Sequence, residues 1–290
     1  MNSSEYHALN RATFASDVGL RTSEVDILET DQERKPRDFV QSLDRGFAVI
    51  RAFNELNVKL TLSEVAQRTG LTRATARRFL LTLESMHYVG STGRHFFLRP
   101  KVLELGYAYL SSVSLVSVAQ NHLEVLTNQL RESCSASVLD GEEIIYICRA
   151  AANRIMSVNL SVGVKLPAYS SSMGKVLLSA LGKSELQEYI TNSLRPKLTS
   201  HTVVGAQELL EVLDKVREQG WAVNDEELEE GVRSVAVPVK DKDGKVIAAI
   251  NVSAHASRVK VDALISEFLP QLQKTAFQIE TDLAVYVPKV

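Results

Sequence analysis

The segment TRATARR, residues 72–78, carries three arginines at a spacing suited to binding a polyanion. On a helix that turns about 100° per residue, Ala74 and Arg78 lie opposite the apolar side. Short side chains near the start of such a helix allow close approach to the DNA major groove, where arginine can reach guanine edges or phosphates. The pattern predicts DNA contacts from this segment and from one arginine of a following hairpin: Thr72, Arg73, Ala74, Thr75, Arg77, Arg78 and Arg94.

A second constellation is the serine run of SSSMGK, residues 170–175, which precedes an apolar helix. The backbone amides of Ser172, Met173 and Gly174 would lie at the helix N-terminus, where free N–H groups and the helix dipole favour an anion such as a carboxylate. Plain capping by Ser170, Ser171 or Ser172 explains the same pattern. The residues alone leave both interpretations open.

The acidic segment NDEELEEG, residues 224–231, could bind a metal or perform acid–base chemistry in an enzyme. It is not accompanied by a paired-histidine motif, and adjacent carboxylates in a strand or turn point alternately to opposite faces. A solvated acidic edge is the simpler interpretation. The serine run lacks the Gly-x-Ser-x-Gly pattern of a nucleophile elbow. We therefore expect no catalytic residue, no metal and no other cofactor.

The arginine segment is positioned by a predicted helix-turn-helix. Thr61 and Glu64 have the spacing of a capping box that starts a first helix, and Gly70 can adopt the left-handed conformation that ends it. Thr72 can cap a second helix that runs to about Met86. The apolar face of this second helix is Ala76, Phe79, Leu80 and Leu83.

A preceding helix and a following hairpin complete this N-terminal region. A helix is predicted over about Val40–Asn54, where apolar residues recur at helical spacing: Leu43, Phe47, Ile50 and Phe53. The segment YVGSTGRHFFL predicts two short strands around Ser91-Thr92-Gly93, with Arg94 at the tip. The helix-turn-helix is therefore a winged one, and we expect the wing to cover Leu81, which points outward from the second helix.

Charge is distributed unevenly along the chain. Ten basic and five acidic residues lie between residues 36 and 99, a local net charge of +5. The whole chain carries −2, so the remaining residues carry −7. The positive field that a phosphate backbone requires is thus concentrated in the N-terminal region.

A long helix is predicted to follow the hairpin. Pro100 suits its first turn, and the helical pattern continues towards Leu130. This helix would link two domains and could pair with a second chain. Its apolar side is Val102, Leu103, Gly106, Tyr107 and Leu110.

The remainder alternates strands and helices. Two hairpins are predicted around the turns Asp140-Gly141 and Asp243-Gly244, with the strands Ser135–Leu139, Ile144–Arg149, Ser234–Val239 and Val246–Ala254. Helices are expected near Ser172–Leu181, Lys183–Thr191, Ala206–Gln219 and Val261–Val285. Hairpins with segregated helices predict an α+β domain with an antiparallel sheet.

Composition limits the class of protein. The chain has 290 residues, of which 45% are hydrophobic, enough for two domains. Cys134 and Cys148 are too few for a disulfide framework and are expected to be buried thiols. No apolar run approaches the length of about 20 residues that spans a membrane. The N-terminus lacks the apolar core of a signal peptide, so we expect a soluble, cytoplasmic protein without a membrane partner.

These segments resemble the IclR family of bacterial regulators over about Phe39–Val287. The specific matches are LPAYSSSMGKVLLSAL and GWAVNDEELEEGVRSVAVPV, which generic helix-turn-helix proteins lack. SLDRGFAVIRAF and TLSEVAQRTGLTRATARRFLLTLESMHYV also match. The segment RIMSVNLSVGVKLPAYSSSMGKVLLSAL is most similar to the subgroup of the family that controls protocatechuate, p-hydroxybenzoate and other β-ketoadipate pathway genes.

The resemblance implies a regulator that binds double-stranded operator DNA as a dimer, often as a tetramer. It implies a winged helix-turn-helix domain (37–99), a linker helix (100–117) and a GAF-like effector domain (118–290). Residues 1–36 are polar and lack sustained periodicity, which predicts a flexible tail. A competing interpretation is a metabolite sensor that acts through protein contacts along the linker helix. DNA binding distinguishes the two.

Carried over position by position, the family's effector pocket falls on Ser172, Met173, Asn224, Ser234, Asn251 and Ser253, beside Gly174. Neutral hydrogen-bonding groups and one pliable apolar side chain suit a small organic acid, aromatic or dicarboxylate. Relatives that bind small keto acids tend to have Asp, Cys and Ser at the positions of Asn224, Ser234 and Asn251. These departures favour a different or larger effector, such as protocatechuate or β-ketoadipate. Arg149 and Arg154 could supply a second positive contact or be surface residues.

Overall fold

The computed structural model describes residues 38–54, 56–112, 114–152 and 161–285. The tail predicted over residues 1–36 and Arg154 lie outside these ranges. The chain divides into two compact units, with a boundary between Tyr109 and Leu110. We refer to residues 38–109 as the N-terminal unit and to residues 110–285 as the C-terminal unit.

The N-terminal unit combines helices with a small antiparallel sheet whose strand order is β1-β3-β2. Its described elements are α1 (Gln41–Arg51), β1 (Leu60–Thr61), α2 (Leu62–Thr69), α3 (Arg73–Ser85), β2 (Val89–Thr92) and β3 (His95–Leu98). One core joins them, formed by buried residues that include Val49, Val65, Ala76, Leu80 and Val89. The predicted winged helix-turn-helix is confirmed.

Local signals start and end the two central helices as predicted. The Thr61 hydroxyl accepts a hydrogen bond from the Glu64 amide at 3.4 Å, and the Glu64 carboxylate accepts one from the Thr61 amide at 2.7 Å. Gly70 ends α2 in the left-handed conformation, with φ 64°. The Thr72 hydroxyl then caps α3 by accepting a hydrogen bond from the Thr75 amide at 3.2 Å.

Two details of this unit differ from the prediction. α1 ends at Arg51 because the Asn54 side chain accepts hydrogen bonds from Leu56 and Asn57 and so forms a turn. The wing does not cover Leu81, which is 41% exposed. The wing contacts the last turn of α3 instead, where the Ser91 hydroxyl donates to the Glu84 carboxylate at 2.6 Å.

The segment predicted as one long linker helix consists of several helical elements. Pro100 begins a 3-10 turn over Pro100–Val102, which is followed by α4 (Leu103–Ser112) and α5 (Ser114–Leu130). The boundary between the two units lies within α4.

The C-terminal unit is built on an antiparallel sheet of strand order β6-β5-β4-β9-β8-β7. Its strands are β4 (Ser133–Asp140), β5 (Glu143–Ala150), β6 (Lys165–Pro167), β7 (Ala222–Asp225), β8 (Val232–Lys240) and β9 (Val246–His255). Its remaining helices are α6 (Ser172–Ser179), α7 (Lys183–Asn192), α8 (Ala206–Gln219), α9 (Val261–Ala263) and α10 (Leu269–Val285). The predicted α+β class is confirmed, as are the turns at Gly141 and Gly244, whose φ angles are 60° and 78°.

The two faces of this sheet pack against different helices. Ile250 and Val252 of β9 point into a core shared with α5 and α10. Ala249, which alternates with them, points into a second core shared with α6, α7 and α8. This period of two gives each strand one face for each helical layer.

The helix predicted over Val261–Val285 is interrupted. α9 leads into a π turn, Leu264–Phe268, before α10 begins. Pro270 accounts for this irregularity, because proline cannot donate a backbone hydrogen bond and its ring clashes with the preceding turn.

The two cysteines are buried free thiols, as predicted. Burial raises the pKa of both Cys134 and Cys148 to about 12. Because the thiolate is the reactive form, both should be inert at neutral pH. In the described part of the chain, every helix is too short or too polar to cross a membrane.

The capping box at Thr61 gives a first prediction. Thr61→Ala removes the hydroxyl that caps α2 and should lower the free energy of local opening of α2 by about 1 kcal/mol. Thr61→Ser keeps the hydroxyl and should behave like the native protein. Native-state hydrogen exchange of the α2 amides measures this quantity directly.

The same box should be sensitive to pH. Hydrogen bonds from the Thr61 backbone and side chain, aided by nearby His95 and Arg68, hold the pKa of Glu64 below its usual range. A lowered carboxyl pKa stabilises the fold above the ordinary Glu pKa, and this contribution is lost as the pH falls through the lowered pKa. The Thr61→Ala variant should lose less stability in acid than the native protein does. An equal loss of stability in the two proteins would contradict the role of the Thr61 hydroxyl in lowering the pKa of Glu64.

Candidate functional site

The exposed side of α3 carries the arginines singled out from the sequence. Arg73, Arg77 and Arg78 are exposed, whereas Ala76, Leu80 and Leu83 on the opposite side are buried in the N-terminal core. Ala74 is exposed near the start of the helix, where it leaves room for close approach. The helix therefore presents a basic surface, with short side chains near its N-terminus.

The charge of this surface is uncompensated in the structure. Among the described residues, no carboxylate lies within ion-pair distance of Arg73, Arg77, Arg78 or Arg94. Arg94 follows Gly93, whose φ of 62° forms the turn between β2 and β3. These guanidinium groups are available to phosphates and base edges.

Lys101, which the sequence analysis did not identify, binds the C-terminal end of α3. Its ammonium donates a hydrogen bond to the Met86 carbonyl at 3.2 Å and lies 5.1 Å from the centre of the Tyr88 ring. A cation at a helix C-terminus is favoured by the unsatisfied carbonyls and the helix dipole. No local signal indicated it, because Lys101 lies fifteen residues beyond Met86, on the far side of the wing.

A second candidate site lies on one face of the six-stranded sheet in the C-terminal unit. We call this face the polar face, because the strand residues that point to it include Ser133, Ser135, Ser137, Asn224, Ser234, Asn251 and Ser253. Ser253 is paired with both Ser133 and Ser234, and Ser234 is paired with Asn224. The register thus aligns four polar residues in one row across four strands.

α6 is anchored on the polar face by its first residues. The Ser172 and Ser234 hydroxyls lie 2.7 Å apart in a hydrogen bond, and the Ser137 hydroxyl donates to the Met173 sulfur at 3.3 Å. The Ser171 hydroxyl accepts from the Gly174 amide at 3.0 Å, so Ser171 is the cap. Within the described residues, the amides of Ser172 and Met173 are left without an acceptor.

Gly174 is explained by packing. A Cβ at this position would lie 2.1 Å from the Ala168 carbonyl oxygen and 2.4 Å from its Cα. Only glycine allows the backbone of α6 to approach Ala168 so closely. With its amide bonded to Ser171, Gly174 sets the position of the helix instead of offering a free donor.

The two asparagines on the polar face have different roles. Asn224 donates to the Ser170 carbonyl and accepts from the Glu227 amide, so its amide holds the segment that follows β7. Asn251 donates to the Ser253 hydroxyl at 3.0 Å, while its own Oδ1 is buried without a partner. Buried polar atoms are nearly always hydrogen-bonded, so the free end of Asn251 points to an additional ligand or ordered water.

The neighbourhood contains further orphaned acceptors. Ser170 Oγ and Glu227 Oε2 are also buried without a hydrogen-bond partner among the described residues. Both belong to residues bonded to Asn224. The region around α6 therefore has more hydrogen-bonding capacity than the described part of the chain satisfies.

A buried ion pair beside α6 is a feature that sequence reasoning missed. The Lys175 ammonium bonds to the Glu227 carboxylate and lies 3.5 Å from the Val223 carbonyl oxygen. The side chains of Lys175 and Glu227 are only 3% and 11% exposed. Fifty-two residues separate them, and nothing local in the sequence indicates the pairing.

The acidic segment is not the solvated edge that we expected. Glu227 pairs with Lys175, and both Asp225 and Glu226 pair with Arg233. Glu229 and Glu230 are exposed, and the Asp225 side chain is 44% exposed, so the expectation was wrong for Glu226 and Glu227 and correct for the other three carboxylates. The reason is that Arg233, on the neighbouring strand, and the distant Lys175 reach these carboxylates, and local patterning indicates neither contact. In residues 38–54, 56–112, 114–152 and 161–285, no group of three or more His, Cys, Asp or Glu side chains could hold a metal.

The buried pair gives a second prediction. Lys175→Met leaves the Glu227 carboxylate buried without its cation and should lower the free energy of unfolding by about 3 kcal/mol. Lys175→Met with Glu227→Leu removes both charges and should recover most of that loss. Urea unfolding followed by the fluorescence of Trp221, the single tryptophan, reports on this unit. A double variant no more stable than Lys175→Met would contradict the role of the pair.

Comparison with protein families matches both units. Residues 42–92 match the IclR helix-turn-helix domain, and residues 107–281 match the bacterial transcriptional regulator IclR C-terminal domain. Together these matches cover most of the chain.

Curated relatives share most of their length with the chain. The Pca regulon regulatory protein of Pseudomonas putida is 46% identical over 236 residues, covering 81% of each chain. The p-hydroxybenzoate hydroxylase transcriptional activator of Acinetobacter baylyi is 34% identical over 255 residues, covering 86% of this chain and 94% of the relative.

Solved structures show the same similarity. A transcriptional regulator from Rhodococcus sp. RHA1 is 49% identical with a TM-score of 0.77, covering 85% of this chain and 99% of that one. An IclR homolog from Microbacterium hydrocarbonoxydans, complexed with 4-hydroxybenzoate, is 25% identical with a TM-score of 0.75, covering 84% of this chain and 100% of that one.

Proposed function

The chain belongs to the IclR family of bacterial transcriptional regulators, and we propose that α3 and the wing bind operator DNA under the control of a small organic acid. The observation that carries this proposal is the set of uncompensated arginines on the exposed side of α3. Each domain has its own role in this proposal: residues 37–99 bind DNA, residues 100–117 link the domains and residues 118–290 bind the effector. The regulator acts in the cytoplasm, where bacterial DNA lies.

DNA recognition combines two kinds of contact. Ala74, Thr75, Arg77 and Arg78 face the major groove, and Thr72 and Arg73 approach the backbone at the start of α3. A hydrogen bond of 2.9 Å between the hydroxyls of Thr72 and Thr75 orients that end of the helix. Arg94 reaches the adjacent backbone or minor groove from the wing.

The effector is an acid of aromatic catabolism, such as protocatechuate, 4-hydroxybenzoate or β-ketoadipate. The names of the relatives and the 4-hydroxybenzoate complex of a structural neighbour support this class. The free amides at the start of α6 suit a carboxylate, and the orphaned buried acceptors suit a polar ligand. The contacting set is Ser172, Met173, Asn224, Ser234, Asn251 and Ser253, with Gly174 placing the helix.

A homodimer is the form that binds DNA. Leu43 and Phe47 of α1 are 60% and 43% exposed, and Leu103 and Tyr107 of α4 are 71% and 69% exposed. Apolar surface of this extent in so small a unit is typical of an interface. A second copy is the fitting partner, because two helix-turn-helix units related by two-fold symmetry read two half-sites.

The dimer is tested by the mass of the full chain in light scattering. We expect twice the mass of one chain in solution, with four chains on DNA if dimers associate as the family resemblance implies. Leu43→Glu combined with Phe47→Glu should shift the equilibrium towards single chains. A single-chain mass for the native protein at micromolar concentration would contradict the proposal.

The reading helix gives a further prediction. Arg77→Ala and Arg78→Ala should each weaken binding to the DNA upstream of the chain's own gene by about 1–3 kcal/mol. An arginine that contacts only phosphate should also reduce the salt dependence of binding by about one counterion. Gel shifts at several salt concentrations measure both effects.

The matched control is Arg51→Ala, which removes one positive charge from α1 of the same unit. It should change the DNA affinity by no more than about threefold, because only the general field is weakened. If Arg77→Ala and Arg78→Ala both behave like Arg51→Ala, α3 is not the reading helix.

A further inference from the structure

The first turn of α6 is anchored by two residues at the end of β7 and just beyond it. The Asn224 amide donates to the Ser170 carbonyl, immediately before the helix. The Lys175 ammonium, one turn further on, bonds to the Glu227 carboxylate. The Glu227 amide donates to Asn224 Oδ1 at 3.1 Å and so joins the two anchors. These bonds and the backbone from Ser170 to Lys175 close a ring, which we call the anchoring ring.

The segment that carries Glu227 is itself fixed by side chains from outside it. The Thr202 hydroxyl donates to the Glu227 carbonyl at 2.7 Å. The Thr199 hydroxyl donates to the Glu226 carbonyl, also at 2.7 Å. Glu226 has a φ of 62°, a conformation that residues other than glycine rarely adopt and that persists only where the surroundings determine it. The anchoring ring therefore holds α6 against a fixed support.

Burial determines what the ion pair of the anchoring ring can contribute. Taking two charges out of water costs about as much free energy as their attraction returns, so a buried pair adds little stability over two apolar side chains of similar size. The bonds of the pair are directional, however. The Lys175 ammonium bonds to the Glu227 carboxylate and lies 3.5 Å from the Val223 carbonyl oxygen. The pair can thus specify one arrangement of α6 where an apolar contact would allow several.

The anchoring ring encloses the donors of the proposed effector site. These donors are the amides of Ser172 and Met173, which have no acceptor among the described residues. A hydrogen bond weakens steeply when its N–H does not point at the acceptor. A displacement of the first turn by about 0.5 Å, or a rotation by about 10–20°, is enough to lose the alignment that a binding site requires.

We propose that Lys175 and Glu227 are positioning residues of the effector site, whose ion pair holds the first turn of α6 so that its free amides point to the carboxylate of the effector. This inference rests on the proposed function and assigns to the same site two residues that do not contact the ligand. The packing of Gly174 on Ala168 sets how closely α6 approaches its neighbours. The ion pair sets the orientation of the turn that carries the donors.

The test separates positioning from stability. Lys175→Met with Glu227→Leu replaces the pair by apolar side chains, and its melting temperature should lie within a few degrees of that of the native chain. Both full chains are titrated in a calorimeter with protocatechuate, 4-hydroxybenzoate and β-ketoadipate. The acid that the native chain binds most tightly should bind the double variant at least about tenfold more weakly, as expected when one charge-assisted hydrogen bond is misaligned.

The matched control is Asp140→Asn with Lys165→Gln, which removes an exposed ion pair from the same unit. It should change the affinity for the acid by less than about twofold, because an exposed pair outside the anchoring ring contributes little. Gel shifts provide a second readout. Without acid, the Lys175→Met and Glu227→Leu double variant should bind DNA within about threefold of the native affinity, because the substitutions lie in the other unit. At an acid concentration that saturates the native chain, its DNA affinity should change less.

Hydrogen exchange of the native chain tests the anchoring ring without any substitution. The amides of residues 171–176 and 224–228 should open with the same free energy, because the ring joins the two segments into one cooperative unit. The bound acid should slow exchange in both segments by the same factor. If the double variant does not fold, this measurement alone decides.

Two results would overturn the inference alone. One is a double variant that melts like the native chain and binds the acid with unchanged affinity, and the other is protection of residues 171–176 without protection of residues 224–228. In both cases the native chain still binds the acid, so the proposed function stands. A native chain that binds none of the three acids at millimolar concentration contradicts the proposed function, and the positioning role falls with it.

Discussion

The alternation of side chains between the two faces of β4, β8 and β9 is the constraint on which the C-terminal unit depends. Ile250 and Val252 point to α5 and α10, while Ala249, Asn251 and Ser253 point to the face that α6 covers. A register shift of one residue would bury the polar set in an apolar core and is therefore strongly disfavoured. The same constraint assembles the candidate site, because it aligns residues from four strands beneath the N-terminus of one helix.

The two units differ in how far sequence could predict them. The helix-turn-helix follows from local signals, and Thr61, Gly70 and Thr72 act in the structure as the sequence indicates. The polar face could be assembled only through resemblance, because Ser172 and Ser234 meet across 62 residues. The ion pair between Lys175 and Glu227 joins residues far apart in the sequence, so no local pattern predicts it. The close packing of Gly174 on Ala168 is a steric contact that the sequence does not reveal either. β1, β6 and β7 escaped prediction because strands of two to four residues are too short to show a period and, unlike β2 and β3, they do not flank a short glycine turn.

The presence of a DNA-binding site and an effector site on one chain is not sufficient for regulation. An effector changes DNA affinity only to the extent that it binds two conformations of the protein unequally. A site with buried, unsatisfied acceptors suits this role, since a bound ligand completes hydrogen bonds that its absence leaves unmade. The uncompensated arginines of α3 form the DNA-binding surface that the effector would control. The affinity of this surface for DNA depends on positive charge that the protein itself does not neutralise.

The central claim is that an acid bound in the C-terminal unit changes DNA binding by the N-terminal unit. Its most direct test is a titration of labelled DNA from upstream of the chain's own gene with the full chain. The titration is made at fixed ionic strength, without added acid and then with protocatechuate, 4-hydroxybenzoate or β-ketoadipate. The account predicts saturable binding whose Kd changes by about tenfold, or 1.4 kcal/mol, with at least one acid. Binding that none of these acids alters at millimolar concentration would contradict it.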